Sequence, residues 1–327
     1  MKSFESINPA YDATFHPQQL SIGLVAPVEN HGNHAVPSLE RHWERVVLAE
    51  EAGFKALWVR DIPFQVPSFG DAGQTFDPFT YLGFLAAKTK RIALGTGSIA
   101  LPLHHPVHMA KSAATIDQLS DGRLLLGVAS GDRPQEYPAM GFEFENRGEQ
   151  FREAFQYLRQ AATDFPKLDS KHYGKTVGDM DILPKPWSKK IPMILTGHSQ
   201  QDLVWNAQHA DGWMYYPRNL QQQEMIIAQW RALVLEHQGY DRPFMQPLYI
   251  DLHPQDDWKP QPIHLGFRIG ASYLVEYLDY LRQIGVNHLI MNLRFNQQAI
   301  EPTLEKLADK VLPVFHKATQ TSQNSIS

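Results

Sequence analysis

The sequence predicts an α/β fold, a single (β/α)8 TIM barrel with insertions after strands four and seven. Three observations predict it. Short apolar β-like runs alternate with amphipathic helical stretches, and eight such pairs run along the 327 residues. Alternation of this kind demands a parallel sheet, because each crossover helix covers one sheet face. Eight units with apolar strands favour closure over an open, doubly wound sheet. The open alternative needs a glycine-rich phosphate fingerprint after strand one, and APVENHGNHAVPS contains no G-x-G-x-x-G.

Strand one is LSIGLVAP, from Leu20 to Pro27. Helix one is expected from Ser38, with Leu39, Trp43, Val46 and Val47 on one face, and Gly53 stops it. Strand two is KALWVRD, ending at Asp61. Asp77-Pro78 supplies an N-cap and a first-position proline for helix two. Strand three is RIALGTGS, ending near Ser98, and helix three runs from His105-Pro106 to about Leu119. Strand four spans Arg123 to Ser130, behind a Ser120-Asp-Gly122 turn, and helix four carries Phe151, Phe155 and Leu158. From about Phe165 to Trp187 the chain reads as an irregular insertion with short strands. Strand five is IPMILTG, ending at Gly197, and helix five is expected from Ser199. Strand six is DGWMYYP, and Ile226, Trp230, Leu233 and Val234 mark helix six. Strand seven, FMQPLYIDL, leads into a Pro- and His-rich loop, and helix seven carries Leu274, Leu278 and Leu281. Strand eight is VNHLIMNL, and helix eight carries Ile300, Leu304, Leu307, Val311 and Phe315. Residues 1–327 read as one domain, with a polar tail from about 318 expected to fray.

Composition narrows the function classes. The chain has 30 basic and 35 acidic residues, a net charge of -5, which gives no electrostatic reason to expect nucleic acid or an anionic membrane surface. It has no cysteine, which removes disulfides, thiolate catalysis and sulfur-ligated metals and fits a reducing cytoplasm. MKSFESINPAYDATF has no apolar secretion core, and no run approaches a membrane span.

In a barrel the chemistry sits where strands end and βα loops begin. The residues there are Asp61, Gly97-Ser98, Ser130-Gly-Asp132, Gly197-His-Ser199, Tyr215-Tyr216, Asn292 and Arg294. Glycine in Leu94-Gly-Thr-Gly-Ser98 marks either close approach of a flat ligand or a barrel-corner kink. Thr196-Gly-His-Ser199 offers bare N–H groups and a hydroxyl to a phosphate; alternatively Ser199 simply caps helix five. Ser130-Gly-Asp-Arg133 is an anion-binding loop or an ordinary turn. His104 and His108 have a spacing that two zinc ligands could use, but there is no H-E-x-x-H and Pro106 starts the helix between them, so no metal is expected. Trp58 and Trp213 read as core.

The stretch ALGTGSIALPLHHPVHMAKSAATIDQLSDGRLLLGVASGDRPQEYPAMG closely resembles the bacterial-luciferase-like family of flavin-dependent oxidoreductases. EEAGFKALWVRD, TGHSQ…AQHADGW and IGVNHLIMNL resemble further segments of that family in the same order, so the likeness covers nearly the whole chain. The resemblance implies a homodimeric barrel that holds FMN or a deazaflavin at the strand C-termini. It implies a cis peptide at Gly97-Ser98 behind the flavin ring and a phosphate near Gly197, His198 and Ser199. Ser130 stands where bacterial luciferase has a phosphate-binding arginine. The catalytic histidine that follows an acid after strand two is replaced here: Arg60-Asp-Ile-Pro-Phe64 keeps only Asp61. Light emission is therefore not expected.

The resulting expectation is an FMN-dependent monooxygenase that uses reduced flavin from a separate flavin reductase, and O2, on a small organic substrate. Asp61 and Arg294 are its catalytic candidates, Tyr215 a substrate contact, and Gly97, Ser98, Ser130, Gly197, His198 and Ser199 the cofactor contacts. The alternatives are a deazaflavin-dependent hydride-transfer enzyme, a non-catalytic flavin-binding protein, and a metal-dependent hydrolase, the last weakened by missing carboxylate ligands at matching strand ends. Ala86, Ala87, Ala110, Ala113 and Ala114 on helices two and three suit close packing, within the barrel or at a dimer seam.

Overall fold

The computed structural model describes residues 3–70 and 72–315; the expected polar tail lies outside them. Eight parallel strands close the barrel: β1 (Ser21–Val25), β2 (Ala56–Val59), β3 (Ala93–Thr96), β4 (Leu124–Ala129), β5 (Met193–Thr196), β6 (Gly212–Met214), β7 (Phe244–Leu252) and β8 (His288–Asn292). Each strand pairs with the next, and β8 returns to β1 in the register Ser21↔His288 to Leu24↔Met291. Eight helices cover the outside: α1 (Glu44–Ala52), α2 (Pro78–Lys88), α3 (Pro106–Leu119), α4 (Arg147–Ala161), α5 (Leu203–His209), α6 (Leu220–Gln238), α7 (Ala271–Gln283) and α8 (Ile300–Lys310). Successive strand residues point to opposite faces. Leu57, Leu94, Leu126, Leu195 and Leu289 therefore join the core packed with the helices. Ala56, Trp58, Ala93, Leu125, Ile194, Met245 and Ile290 form a second cluster with Ile7, Ala10, Tyr11 and Phe15.

Those last four residues belong to a segment that the sequence pattern did not reveal. A short helix, Pro9–Thr14, is capped by the Asn8 side chain, which accepts the Tyr11 N–H. Its apolar side chains complete the barrel's interior cluster, and the Tyr11 hydroxyl donates to the Asp211 carbonyl at 2.8 Å. Within the barrel wall, Gly127 is required by close approach: a Cβ there would lie 1.9 Å from the Thr96 carbonyl oxygen.

Two helices start later than expected. α1 begins at Glu44, not Ser38, because Leu39 and Arg41 take left-handed conformations (φ 60° and 52°). The Ser38 and Leu39 N–H groups donate instead to the Glu29 carboxylate, at 2.7 and 2.9 Å. α5 begins at Leu203, with Asp202 as its cap accepting the Trp205 N–H; Ser199 and Gln200 are left-handed (φ 50° and 61°). The insertion following β4 carries a short helix, Glu136–Ala139, and, beyond α4, an antiparallel ladder of Asp169–Ser170 with Gly174–Lys175. After β7 the chain adds Gly266–Ile269, parallel to β7, and Gln261–Ile263, antiparallel to that segment. Among the described residues no helix is long and apolar enough to cross a membrane.

Candidate active site

A cavity of about 520 Å³ opens at the C-terminal ends of the strands. Asp61, Gly97, Ser98, Ser130, Gly197, His198, Ser199, Tyr215 and Arg294 all line it. Trp58 lies beneath Gly97, to which an added Cβ would be 3.7 Å from the Trp58 Cβ, an ordinary contact. The Trp58 ring fits there because Gly95 has no side chain: a Cβ on Gly95 would lie 2.5 Å from ring atom Cε3. Trp58 thus belongs both to the core and to the cavity lining.

The end of β2 carries the strongest electrostatic feature. Asp61 has a side chain only 4% exposed, and its Oδ2 lies 2.7 Å from His104 Nε2. The Ala100 N–H donates to the same oxygen at 3.1 Å. Burial pulls the His104 pKa down, but the Asp61 hydrogen bond and charge, with Asp77 behind them, more than reverse this and raise it. His104 precedes α3 rather than standing on it, and its ring is engaged by a carboxylate. The Arg60 peptide beside Asp61 is fixed by Gln74: its N–H donates to Gln74 Oε1 at 2.7 Å, and the Gln74 amide donates back to the Arg60 carbonyl.

The peptide Gly97-Ser98 is cis. The Ser98 hydroxyl donates to Thr196 Oγ1 across the cavity, joining the ends of β3 and β5. Beyond β5, Gly197 is left-handed (φ 60°) and a Cβ there would meet nothing within 4 Å, so its backbone borders open space. The Ser199 hydroxyl donates to the Thr196 carbonyl at 2.9 Å. The Gly197 N–H is taken by the Met214 carbonyl at 2.8 Å. α5 begins at Leu203, four residues after Ser199, so a phosphate here would meet the turn 197–199 and not a helix end.

Beyond β4, the Ser130 carbonyl accepts the Tyr137 hydroxyl, and Arg133 is buried with its guanidinium 4.8 Å over the Phe69 ring. Glu136 also lines the cavity; it is 4% exposed, and its Oε1 has no hydrogen-bond partner. Burial is the main reason its pKa is raised, with Asp61 and Asp132 adding to the shift, against Arg133 and the Phe64 N–H. Arg294, after β8, spends its guanidinium on loop carbonyls: Gly32 at 2.8 Å, Gly70 at 2.9 Å and His34 at 3.3 Å. It sits on the cavity wall while tying three βα loops together.

Position at strand ends found Asp61 and the glycine-rich turns. It did not find His104 as the partner of Asp61, nor Glu136, because neither ends a strand; the only signal for Glu136 was an acid three residues past Arg133 in a loop already flagged. Glu149, Glu153 and His172 cluster away from the cavity, but Glu153 already accepts from Ser170, the His172 N–H and His172 Nδ1, and Glu149 pairs with Lys171.

A closed parallel barrel with a polar and aromatic cavity at its strand C-termini defines the class: a (β/α)8-barrel enzyme. The family follows from comparison. Residues 20–246 match the profile of the luciferase-like monooxygenases, and the chain belongs to that family of oxidoreductases. An uncharacterised protein of Mycobacterium tuberculosis is 33% identical over 195 residues, spanning 55% of this chain and 68% of that one. Among solved structures, an F420-dependent secondary alcohol dehydrogenase in complex with an F420-acetone adduct has a TM-score of 0.73 at 17% identity, covering 90% of this chain and 99% of that one. The oxygenating constituent of 3,6-diketocamphane monooxygenase of Pseudomonas putida, in complex with FMN, has a TM-score of 0.71 at 14% identity, covering 91% and 99%. At these identities the two structures fix the fold.

Proposed function

We propose that this protein is an FMN-dependent monooxygenase acting on a small organic substrate, with reduced flavin supplied by a separate reductase. The observation that carries the reading is the cavity: about 520 Å³, within the roughly 300–1,000 Å³ of small-molecule sites, with side-chain-free backbone at Gly97 and Gly197 and the buried Asp61 carboxylate, paired with His104, on its wall. A flavin ring system fits such a wall, and the family supports it. Gly97, Ser98 and Ser130 would hold the ring, and Gly197, His198 and Ser199 the phosphate. When bound, the flavin supplies the redox chemistry.

The chain's own residues do the rest. Asp61 favours the protonated form of His104, whose Nε2 lies against the Asp61 carboxylate. Asp61 itself lines the cavity, so the pair would exchange a proton with a bound substrate through the Asp61 carboxylate. Tyr215 offers an aromatic face to the substrate, and Arg294 keeps the surrounding loops closed against water. Exposed Phe84 on α2 and Leu119 at the end of α3 support a homodimer through those helices.

A deazaflavin is the second reading, favoured by the F420-dependent dehydrogenase among the structural neighbours. Anaerobic fluorescence titration of the protein with reduced FMN, and in parallel with reduced deazaflavin, separates them. Saturable FMN binding is expected. Binding of the deazaflavin alone moves the reaction to hydride transfer, and binding of neither overturns the flavin reading. Light scattering on the same samples reads whether two chains associate.

A further inference from the structure

Barrel interiors are filled mainly by bulky branched side chains. Beneath this cavity a polar line runs through the filling instead. The Trp58 indole N–H donates to His288 Nε2 at 3.0 Å. His288 Nδ1 lies 2.6 Å from the Ser21 hydroxyl, which lies 2.7 Å from the Thr14 carbonyl at the end of the N-terminal helix. The line thus crosses from β2 to β8, to the residue that opens β1, and on to the helix that completes the interior cluster. All four residues are buried. The two ends fix the direction of every bond, because an indole N–H only donates and a carbonyl only accepts. Nε2 is therefore the bare nitrogen of the His288 ring. Nδ1 carries the proton and donates to Ser21 Oγ, and the Ser21 hydroxyl donates to Thr14. Two glycines clear the space: a Cβ on Gly23 would lie 2.8 Å from His288 Nε2, and one on Gly95 would lie 2.5 Å from Trp58 Cε3. Nε1 and Cε3 stand on opposite edges of the indole. His288 holds the first edge, so the second is turned to β3, against Gly95 and 3.8 Å from the place of a Gly97 Cβ. A flipped ring would lose this acceptor in a buried site, where an unmade bond is costly.

We propose that His288 is a positioning residue: as a hydrogen-bond acceptor it fixes the Trp58 ring in one orientation, as the support under the Gly97-Ser98 peptide, and so shapes the wall on which the cofactor ring lies. The proposal rests on the reading that a flavin lies against that peptide. Trp58 lines the cavity and His288 does not, so His288 acts through Trp58. Ser21 and Thr14 hold the imidazole in turn, and they set which of its nitrogens is free to accept.

Three measurements test it, two of them on the ligand-free protein. Nitrogen-15 NMR of histidine-labelled protein should show His288 with a protonated Nδ1 and a bare Nε2, assigned by the loss of its signals in His288→Gln. The opposite tautomer, or a ring protonated at both nitrogens near pH 7, would break the line and overturn the proposal. This tautomer is read in the parent chain, so it decides the matter even if His288→Leu does not fold. Next, His288→Gln keeps an acceptor oxygen near the place of Nε2, and His288→Leu removes it. Signals of the Trp58 indole and of the Gly97 and Ser98 amides should move in His288→Leu and stay close to the parent in His288→Gln. The same response in both variants would show that the acceptor does not matter and would overturn the proposal. Last, His288→Leu should bind reduced FMN roughly tenfold more weakly or worse, the scale of one stranded buried donor, while His288→Gln binds like the parent. An unchanged FMN affinity in a His288→Leu protein whose Gly97 and Ser98 signals have moved would overturn the role towards the cofactor. If the parent itself binds no FMN, the flavin reading falls, and the two ligand-free measurements still decide whether His288 positions the Trp58 ring.

Discussion

His104 and Asp61 show how one residue's surroundings decide its chemistry. A histidine in a cluster of three histidines, His104, His105 and His108, invites a metal reading; the fold instead delivers the His104 Nε2 to a nearly sealed carboxylate at 2.7 Å. The raised pKa makes this a statement about stability as well as proton storage. Because the folded value lies above the unfolded one, the cation's contribution is fully present below the unfolded value of about 6.5. It is lost as pH rises through the raised folded value. Wild type should therefore lose stability relative to His104→Gln between about pH 6 and about pH 9, since glutamine can hydrogen-bond Asp61 but does not titrate. Urea midpoints of both proteins at both pH values measure this. Parallel changes in the two would mean that the imidazole titrates alike in the folded and unfolded chain, so that the Asp61 pairing does not raise its pKa.

At the scale of elements, the barrel was legible because its period is simple and the rest was not because it depends on neighbours. Alternating apolar strands and helical faces located all eight βα units, and the rule that strands end at one face brought nine separate residues to one cavity. The starts of α1 and α5 were misread since Leu39, Arg41, Ser199 and Gln200 adopt left-handed backbone with no glycine to announce it. The capping role at Ser38–Leu39 went to Glu29, nine residues away, which no local pattern encodes. Glycines in strands were visible, yet their purpose depends on the adjacent strand. Gly127 faces the Thr96 carbonyl, and Gly83 on α2 faces only Ile116 Cδ1 at 3.5 Å. Gly127→Ala should therefore cost about 1–3 kcal/mol or more by forcing β3 and β4 apart. Gly83→Ala should instead stabilise by about 0.5–1 kcal/mol through helix entropy. Denaturant midpoints check the pair, and similar small changes in both would contradict the close approach.

Across the whole molecule, stability and chemistry occupy opposite ends of the barrel, and Asp211 ties the far end together. Its side chain is 2% exposed, immediately before β6. It accepts from Arg159 on α4, from Lys190 at 3.0 Å ahead of β5, and from the Met193 N–H at 2.8 Å, while its carbonyl takes the Tyr11 hydroxyl of the N-terminal helix. Burial alone would push its pKa up; Arg159, Lys190 and Arg242 outweigh that and lower it. A depressed carboxylate contributes stability above its unfolded value of about 3.9 and loses it as pH falls through the folded value. Asp211→Asn leaves two cations facing a neutral amide at a buried junction, and removing one partner of such a pair costs about 3–5 kcal/mol. Arg159 and Lys190 retain some contact with water, 23% and 30% of their side chains, so the lower end of that range applies. The variant should have a lower urea midpoint near pH 7, and the gap from wild type should close in acid, where the native carboxylate is protonated too. Flavin titration of the folded variant near pH 7 should match wild type, because none of the Asp211 partners lines the cavity. A variant that kept its urea midpoint but lost flavin binding would mean that the two ends of the barrel are coupled, and that the base of the fold helps to shape the site.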